Sequence, residues 1–203
     1  MAEVLIARPE NVPVGPTGRH GLGWWGAATL VASEGALFGY LLFAYFYTGA
    51  TAPPGWVLQP SPNLGLALPN TILLLISSVA VWLAGRGLVR GSRGQALAGL
   101  GAAFLMGAAF VIIEFMEWHS KPFGLGESSY SSLYYVTTAM HLAHVVVGLG
   151  VLAALFWWTA LGYFSARRRI AVSAGALYWH FVNVISVCVF VTYYVTPYLG
   201  FGR

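Results

Sequence analysis

Long apolar runs without alternation dominate this chain. The stretch TILLLISSVAVWLA, residues 71–84, lacks the period-two pattern of polar and apolar positions that a membrane-barrel strand would carry. Five such segments follow one another, from about Trp24 to Tyr47, Leu66 to Ala84, Gln95 to Trp118, Ser131 to Trp158 and Val172 to Tyr198. A helix needs about 20 mainly apolar residues to cross the hydrocarbon core. Lipid also leaves each backbone polar group to be satisfied inside the protein, which restricts spanning structures to helices and closed barrels. The pattern therefore predicts an all-α polytopic membrane protein, a bundle of five transmembrane helices over residues 24–198. Breakers separate the segments. TGATAPPGWVLQPSPN holds four prolines, GRGLVRGSRG is glycine and arginine, SKPFGLGESS contains Pro122, and SARRRI is a basic turn. Residues 1–23 read as a Pro- and Gly-rich N-terminal tail without an apolar core of signal-peptide length. Residues 199–203 read as a short C-terminal tail.

Composition narrows the reading further. The 203 residues are 58% hydrophobic and 8% charged, against roughly 25% charged in soluble domains. A soluble monomer is excluded on that ground. The single cysteine, Cys188, lies in the apolar run VISVCVFV. It can form neither an internal disulfide nor a thiolate-rich metal site, and it reads as a small apolar filler.

The net charge of +4 would raise the question of nucleic acid in a soluble protein. Here the basic residues sit in the links, so membrane orientation explains them and no nucleic-acid partner is expected. With the N-terminus cytoplasmic, that side collects eight arginines: Arg8, Arg19, Arg86, Arg90, Arg93, Arg167, Arg168 and Arg169. The opposite side keeps Lys121 and Arg203. This is a positive-inside bias. Arg86, Arg90, Arg167, Arg168 and Arg169 are also candidates for anionic lipid headgroups.

Ionisable groups inside a membrane are costly and mark function or a specific contact. Glu34 lies ~15 Å into the first segment, near mid-bilayer, with no basic residue in reach on its own helix. It is either a neutral group tying helices together or one that influences proton movement. Gly35 and Gly39 form a small-xxx-small stripe beside it, a pattern that lets helices approach closely. Glu114 and Glu117 are three apart near the end of the third segment and share a face; one of them is expected to be solvated at the interface. His141 and His144 are co-facial in the fourth segment, ~15–20 Å deep. His180 and Asn183 repeat that spacing in the fifth. Glu34, His141, His144, His180 and Asn183 thus lie at depths where three helices can converge. Neutral imidazole is a common metal ligand, but these residues have no distinctive metal spacing. A hydrogen-bonded cluster locking the bundle is the competing reading. Trp24, Trp25, Trp118, Trp157 and Trp158 fall at expected helix ends, as interfacial belts do.

Taken in order, ASEGALFGYLLFAYFY, LPNTILLLISSVAVWLA, FVIIEFMEWHSKPF, SSLYYVTTAMHLAHVVVGL and YWHFVNVISVCVFV resemble subunit III of the haem-copper cytochrome c and quinol oxidases. The likeness covers residues 24–198, and its most specific pieces are the His-x-x-His before VVVGL and the segment YWHFV. The resemblance implies that haem and copper belong to partner subunits and that this chain has no cofactor of its own. It also implies direct packing on subunit I, association with subunit II, bound phospholipid, and support of assembly, turnover stability and proton uptake during oxygen reduction. The family's buried carboxylate falls on Glu34, its motif glutamate on Glu117, its paired histidines on His141 and His144, and the histidine of its last helix on His180. Longer members have seven helices. Five-helix forms occur especially among bacterial oxidases, which points to a bacterial inner membrane, and an extended subunit I is a possible source of the other pair. Two positions depart from the family. Asn183 stands where an aspartate is usual, which puts any proton role there in doubt, and Glu114 replaces a neutral amide.

The sister subunits fit poorly. Subunit I needs six histidine ligands, and only three of the five histidines here fall inside apolar segments. The dinuclear copper of subunit II needs two cysteines. Other readings stay open at this point. A relative accompanying a nitric oxide reductase shares the motifs. A small b-type cytochrome would use His141, His144 and His180 as axial ligands, although an i, i+3 pair points one way and cannot clamp one haem. A proton-coupled transporter would use Glu34 and the histidines as a relay, without the inverted repeat common in that class.

Overall fold

The computed structural model describes residues 22–58, 64–165 and 168–202. Residues 1–21 of the expected tail, with Arg8 and Arg19, and also Arg167 and Arg203, lie outside the described residues. Five α-helices follow in order: α1 Leu22–Thr51, α2 Leu64–Val89, α3 Arg93–Ser120, α4 Ser129–Ala160 and α5 Ile170–Phe190. Each of the first four, and α5 with the turn that continues it, is long and apolar enough to cross a bilayer. The described residues contain no strand, as the lipid constraint requires.

All helices begin earlier than the apolar runs alone indicate, and serines cap two of them. Ser92 caps α3 by accepting from the Gln95 amide at 3.4 Å. Ser128 caps α4 in a reciprocal box with Ser131, with bonds of 2.9 and 3.0 Å. At the other end of the chain the α-helix stops short of Tyr198. After Phe190 it widens into a π-turn, Val191–Val195, in which the Thr196 amide reaches back to the Val191 carbonyl at 3.0 Å. The wider turn puts the consecutive residues Tyr193 and Tyr194 both inside the bundle.

Close packing is set by small residues. A Cβ on Gly99 would lie 2.6 Å from the Ala80 carbonyl oxygen and 2.9 Å from the Ala84 methyl. The α2–α3 seam therefore brings backbones together through Ala80, Ala84, Ala96, Gly99 and Ala103. The Gly35–Gly39 stripe on α1 makes no such seam within this chain. Only Phe181, at 3.8 Å, is near a Cβ on Gly35, and Gly39 has nothing within 4 Å.

Trp179 of α5 is the centre of the core. It is fully buried, and its indole lies where a Cβ on Gly107 of α3 or Gly148 of α4 would be, at 2.8 and 2.7 Å. Its Nε1 donates to Ser77 Oγ of α2 at 2.9 Å. One side chain thus touches three other helices. A second, aromatic cluster closes the opposite end around Tyr45, Trp56, Tyr130, Tyr134 and Tyr193. There the α1–α2 loop folds over the bundle: Trp56 Nε1 donates to Ser129 Oγ at 2.8 Å and the Val57 amide to the Gly202 carbonyl at 3.0 Å.

Gly148→Leu should displace Trp179 and cost about 1–3 kcal/mol of stability through overpacking. The check is the melting temperature of the detergent-solubilised protein, with Gly150→Ala as control, since Gly150 has nothing within 4 Å. Gly148→Leu is expected to melt lower and the control at the parent temperature or slightly above it.

Candidate functional site

The candidate residues do not form one cluster; the structure distributes them over three polar groups. In the first, Glu34 of α1 meets His144 of α4, with Oε2 and Nε2 3.0 Å apart. The other ring nitrogen, Nδ1, lies 2.7 Å from the Met140 carbonyl oxygen. A carbonyl only accepts, so Nδ1 carries a proton. Nε2 then either accepts from a protonated Glu34 or donates, as imidazolium, to its carboxylate. Both descriptions contain the same number of protons. The pair therefore shares one proton between two atoms, and either form is satisfied where water is absent.

The surroundings of the pair are aromatic. Phe38 stands edge-on to the His144 ring with centroids 5.0 Å apart, and Tyr178 donates to the His144 carbonyl at 3.1 Å. The Glu34 side chain remains 29% exposed on the bundle surface, against 13% for His144. The carboxyl therefore lies at the boundary between this chain and whatever covers α1, a helix in which only Phe38 and Tyr45 are buried.

His180 belongs to the second group. Its Nδ1 bonds the Ser78 hydroxyl of α2, one residue along from the Ser77 that holds Trp179. Asn183, one turn on, donates to the Trp179 carbonyl of its own helix at 2.8 Å. It supplies an amide to the core and no charge. Below His180, a cavity of about 330 Å³ lies between α2 and α5 near the arginine end. Arg86 and Arg169 both line it, along with apolar residues such as Val81, Leu88 and Val172. The Arg86 guanidinium rests over the Trp82 ring at 4.4 Å.

Glu117 heads the third group, at the opposite end of α3. The sequence suggests one solvated interfacial glutamate, yet Glu114 and Glu117 are both buried, at 9% and 3% exposure. Two cations or donors explain Glu117. Lys121, one turn on, reaches Oε1 at 2.8 Å, and the Tyr194 hydroxyl donates to the same oxygen. Tyr194 also bonds Tyr134 at 2.9 Å, and Lys121 lies over both rings at 4.9 and 5.0 Å. His141 is buried against Phe38 and Phe110 and takes no part in the Glu34–His144 contact.

Sequence reasoning gives no site role to Ser77, Ser78, Asn70, Tyr134 and Tyr194, and reads Lys121 only for orientation. Asn70 and the Ser77–Ser78 pair are polar groups inside apolar runs, and that signal is readable. The tyrosines carry none, because their partners depend on the π-turn. Among the described residues no three His, Cys, Asp or Glu side chains gather closely enough to hold a metal ion. Of the histidines, His144 is committed at both nitrogens, His180 at one and His141 at neither.

Known proteins resemble this chain over most of its length. Residues 16–198 match the family described as Cytochrome c oxidase subunit III. Cytochrome c oxidase subunit 3 of Lumbricus terrestris is 30% identical over 177 residues, covering 84% of this chain and 68% of that protein. The protein of the same description from Anopheles gambiae is 31% identical over 178 residues, with the same coverage of 84% and 68%. That from Pylaiella littoralis is 34% identical over 159 residues, 78% of this chain and 58% of the relative. Five membrane-crossing helices and this extent of likeness lead to one conclusion: the chain belongs to the cytochrome c oxidase subunit III family.

Proposed function

We propose that this chain is the metal-free subunit III of a proton-translocating respiratory haem-copper oxidase, packed directly on subunit I and associated with subunit II. In this reading haem and copper reside in those partners, and the chain supports assembly, turnover stability and proton uptake while oxygen is reduced to water. The Glu34–His144 pair carries the proposal. It is the only described carboxyl–imidazole contact, it shares a proton at mid-depth, and its carboxyl lies on a helix face that this chain leaves largely uncovered. A group of that kind can accept or release a proton toward a neighbouring subunit without opening the bundle. His141, His180, Asn183 and Glu117 are proposed as the supporting polar frame.

Phospholipid is the second proposed partner. The cavity bordered by Arg86 and Arg169 combines apolar walls with guanidinium charge, the chemistry of a lipid tail below a phosphate. Arg90 and Arg168 lie at the same end, and Arg167 is outside the described residues. The proposed orientation has that end, and the N-terminus, in the cytoplasm, since Lys121 is the only described basic Lys or Arg at the other end. The proposed compartment is a bacterial plasma membrane, resting on the resemblance to five-helix bacterial forms.

Glu34→Gln keeps the size and hydrogen-bonding shape of the side chain but cannot release a proton. The complex is expected to assemble normally, with slower proton uptake and a severalfold shorter turnover lifetime in the purified oxidase. Parent-like kinetics would reduce Glu34 to a packing residue. Orientation is open to labelling in a Cys188→Ala background. An impermeant thiol reagent should reach Leu125→Cys in intact cells and Arg90→Cys only after the membrane is permeabilised; the opposite pattern reverses the topology.

A further inference from the structure

A small cavity separates α2, α3, α4 and α5 between the Glu117 cluster and mid-membrane. Asn70, Glu114, Glu117, His141 and Ser186 supply its polar walls, and Phe110 and Val189 part of its apolar ones. The buried polar atoms without a protein partner include Asn70 Oδ1, Glu117 Oε2 and both ring nitrogens of His141, all on residues of this one cavity. Three helices thus direct unpaired polar groups to a single place. In lipid such groups cost several kcal/mol each, and sequence alone shows no reason for their coincidence.

The hydrogen-bond inventory identifies what satisfies three of these four atoms. Asn70 is oriented by Nδ2, which donates to the Phe110 carbonyl at 3.3 Å, so its free atom is an acceptor. Glu117 uses Oε1 for Lys121 and Tyr194, so its free oxygen is an acceptor too. A neutral His141 offers one N–H donor and one acceptor nitrogen. Two acceptors and one donor match a water molecule, which donates twice and accepts once or twice. Buried waters typically make about 3 hydrogen bonds. Size agrees: the space open to a water centre is about 20 Å³, and one water needs about 10–15 Å³ on that measure. A lipid or a polyatomic anion is too large, and an anion would face the Glu117 carboxylate.

We propose that this cavity binds one ordered water, which donates to Asn70 Oδ1 and Glu117 Oε2 and accepts from the His141 ring. The remaining His141 nitrogen stays beside the rings of Phe38 and Phe110, which flank it edge-on. The water makes the polar groups at the Lys121 end continuous with mid-membrane. Lys121, Glu117, water and His141 form one chain of contacts, and His141 is one helical turn from the His144 that holds Glu34. The site is separate from the Glu34–His144 pair, and its failure would leave the proposed function as it stands.

The test is a cryo-electron-microscopy map of the complete oxidase at a resolution where ordered water is visible, for the parent and for Asn70→Leu. The parent map should show one isolated peak at hydrogen-bond distance from Asn70 Oδ1, Glu117 Oε2 and a His141 nitrogen. In Asn70→Leu the peak should vanish while the Glu34–His144 contact persists. The parent map alone decides the matter if the variant does not assemble. Absence of the peak, direct pairing of Asn70 or Glu117 with His141, or a peak at the shorter distances of a coordinated cation would each overturn the proposal.

Discussion

Lipid offers no hydrogen bonds, and the whole bundle is arranged around that fact. Polar side chains carried to mid-depth find partners on another helix, on their own backbone or, as proposed for His141, in a bound water. Glu34 finds His144, His180 finds Ser78, Trp179 finds Ser77, and Asn183 turns back to Trp179. Hydrogen bonds between membrane helices contribute on average only about 0.6 kcal/mol each, whereas leaving one partner unmatched costs several. The bonds therefore select this arrangement of helices more than they stabilise it. Stability comes from packing, through the α2–α3 backbone approach at Gly99 and the indole of Trp179 set against Gly107 and Gly148.

That division explains where function can reside. A core fixed by Trp179 gives α4 a rigid seat, so His144 is aimed at α1 with its tautomer determined by Met140. The more loosely held α1 then supplies the carboxyl. Rigid imidazole and peripheral carboxyl together form a proton-sharing pair at the edge of the chain, where another subunit can reach it. Glu117 serves a different purpose. Paired with Lys121 and Tyr194 and deeply buried, it ties the π-turn at the end of α5 to α3.

Much of the fold was legible because its signals are local. Five apolar runs and their proline, glycine and arginine breakers state the number and order of helices. Helix ends were less legible, since Ser92 and Ser128 lie in segments that read as loops. The π-turn left no pattern, because its stability depends on contacts of Tyr193 and Tyr194 with α3 and α4. Spacing puts His141 and His144 on one face but does not say that only His144 finds hydrogen-bond partners within the chain. The burial of both Glu114 and Glu117 was likewise invisible, for it rests on Lys121 folding back over one turn and on a tyrosine from a distant helix.

The central claim is that the buried polar residues of this chain serve redox chemistry housed in other chains. Purifying the intact oxidase, releasing this subunit with detergent, and recording haem and copper content for each fraction tests it most directly. The account predicts a colourless chain, with all haem and copper retained by its partners. Haem or copper bound stoichiometrically to the released chain would contradict it.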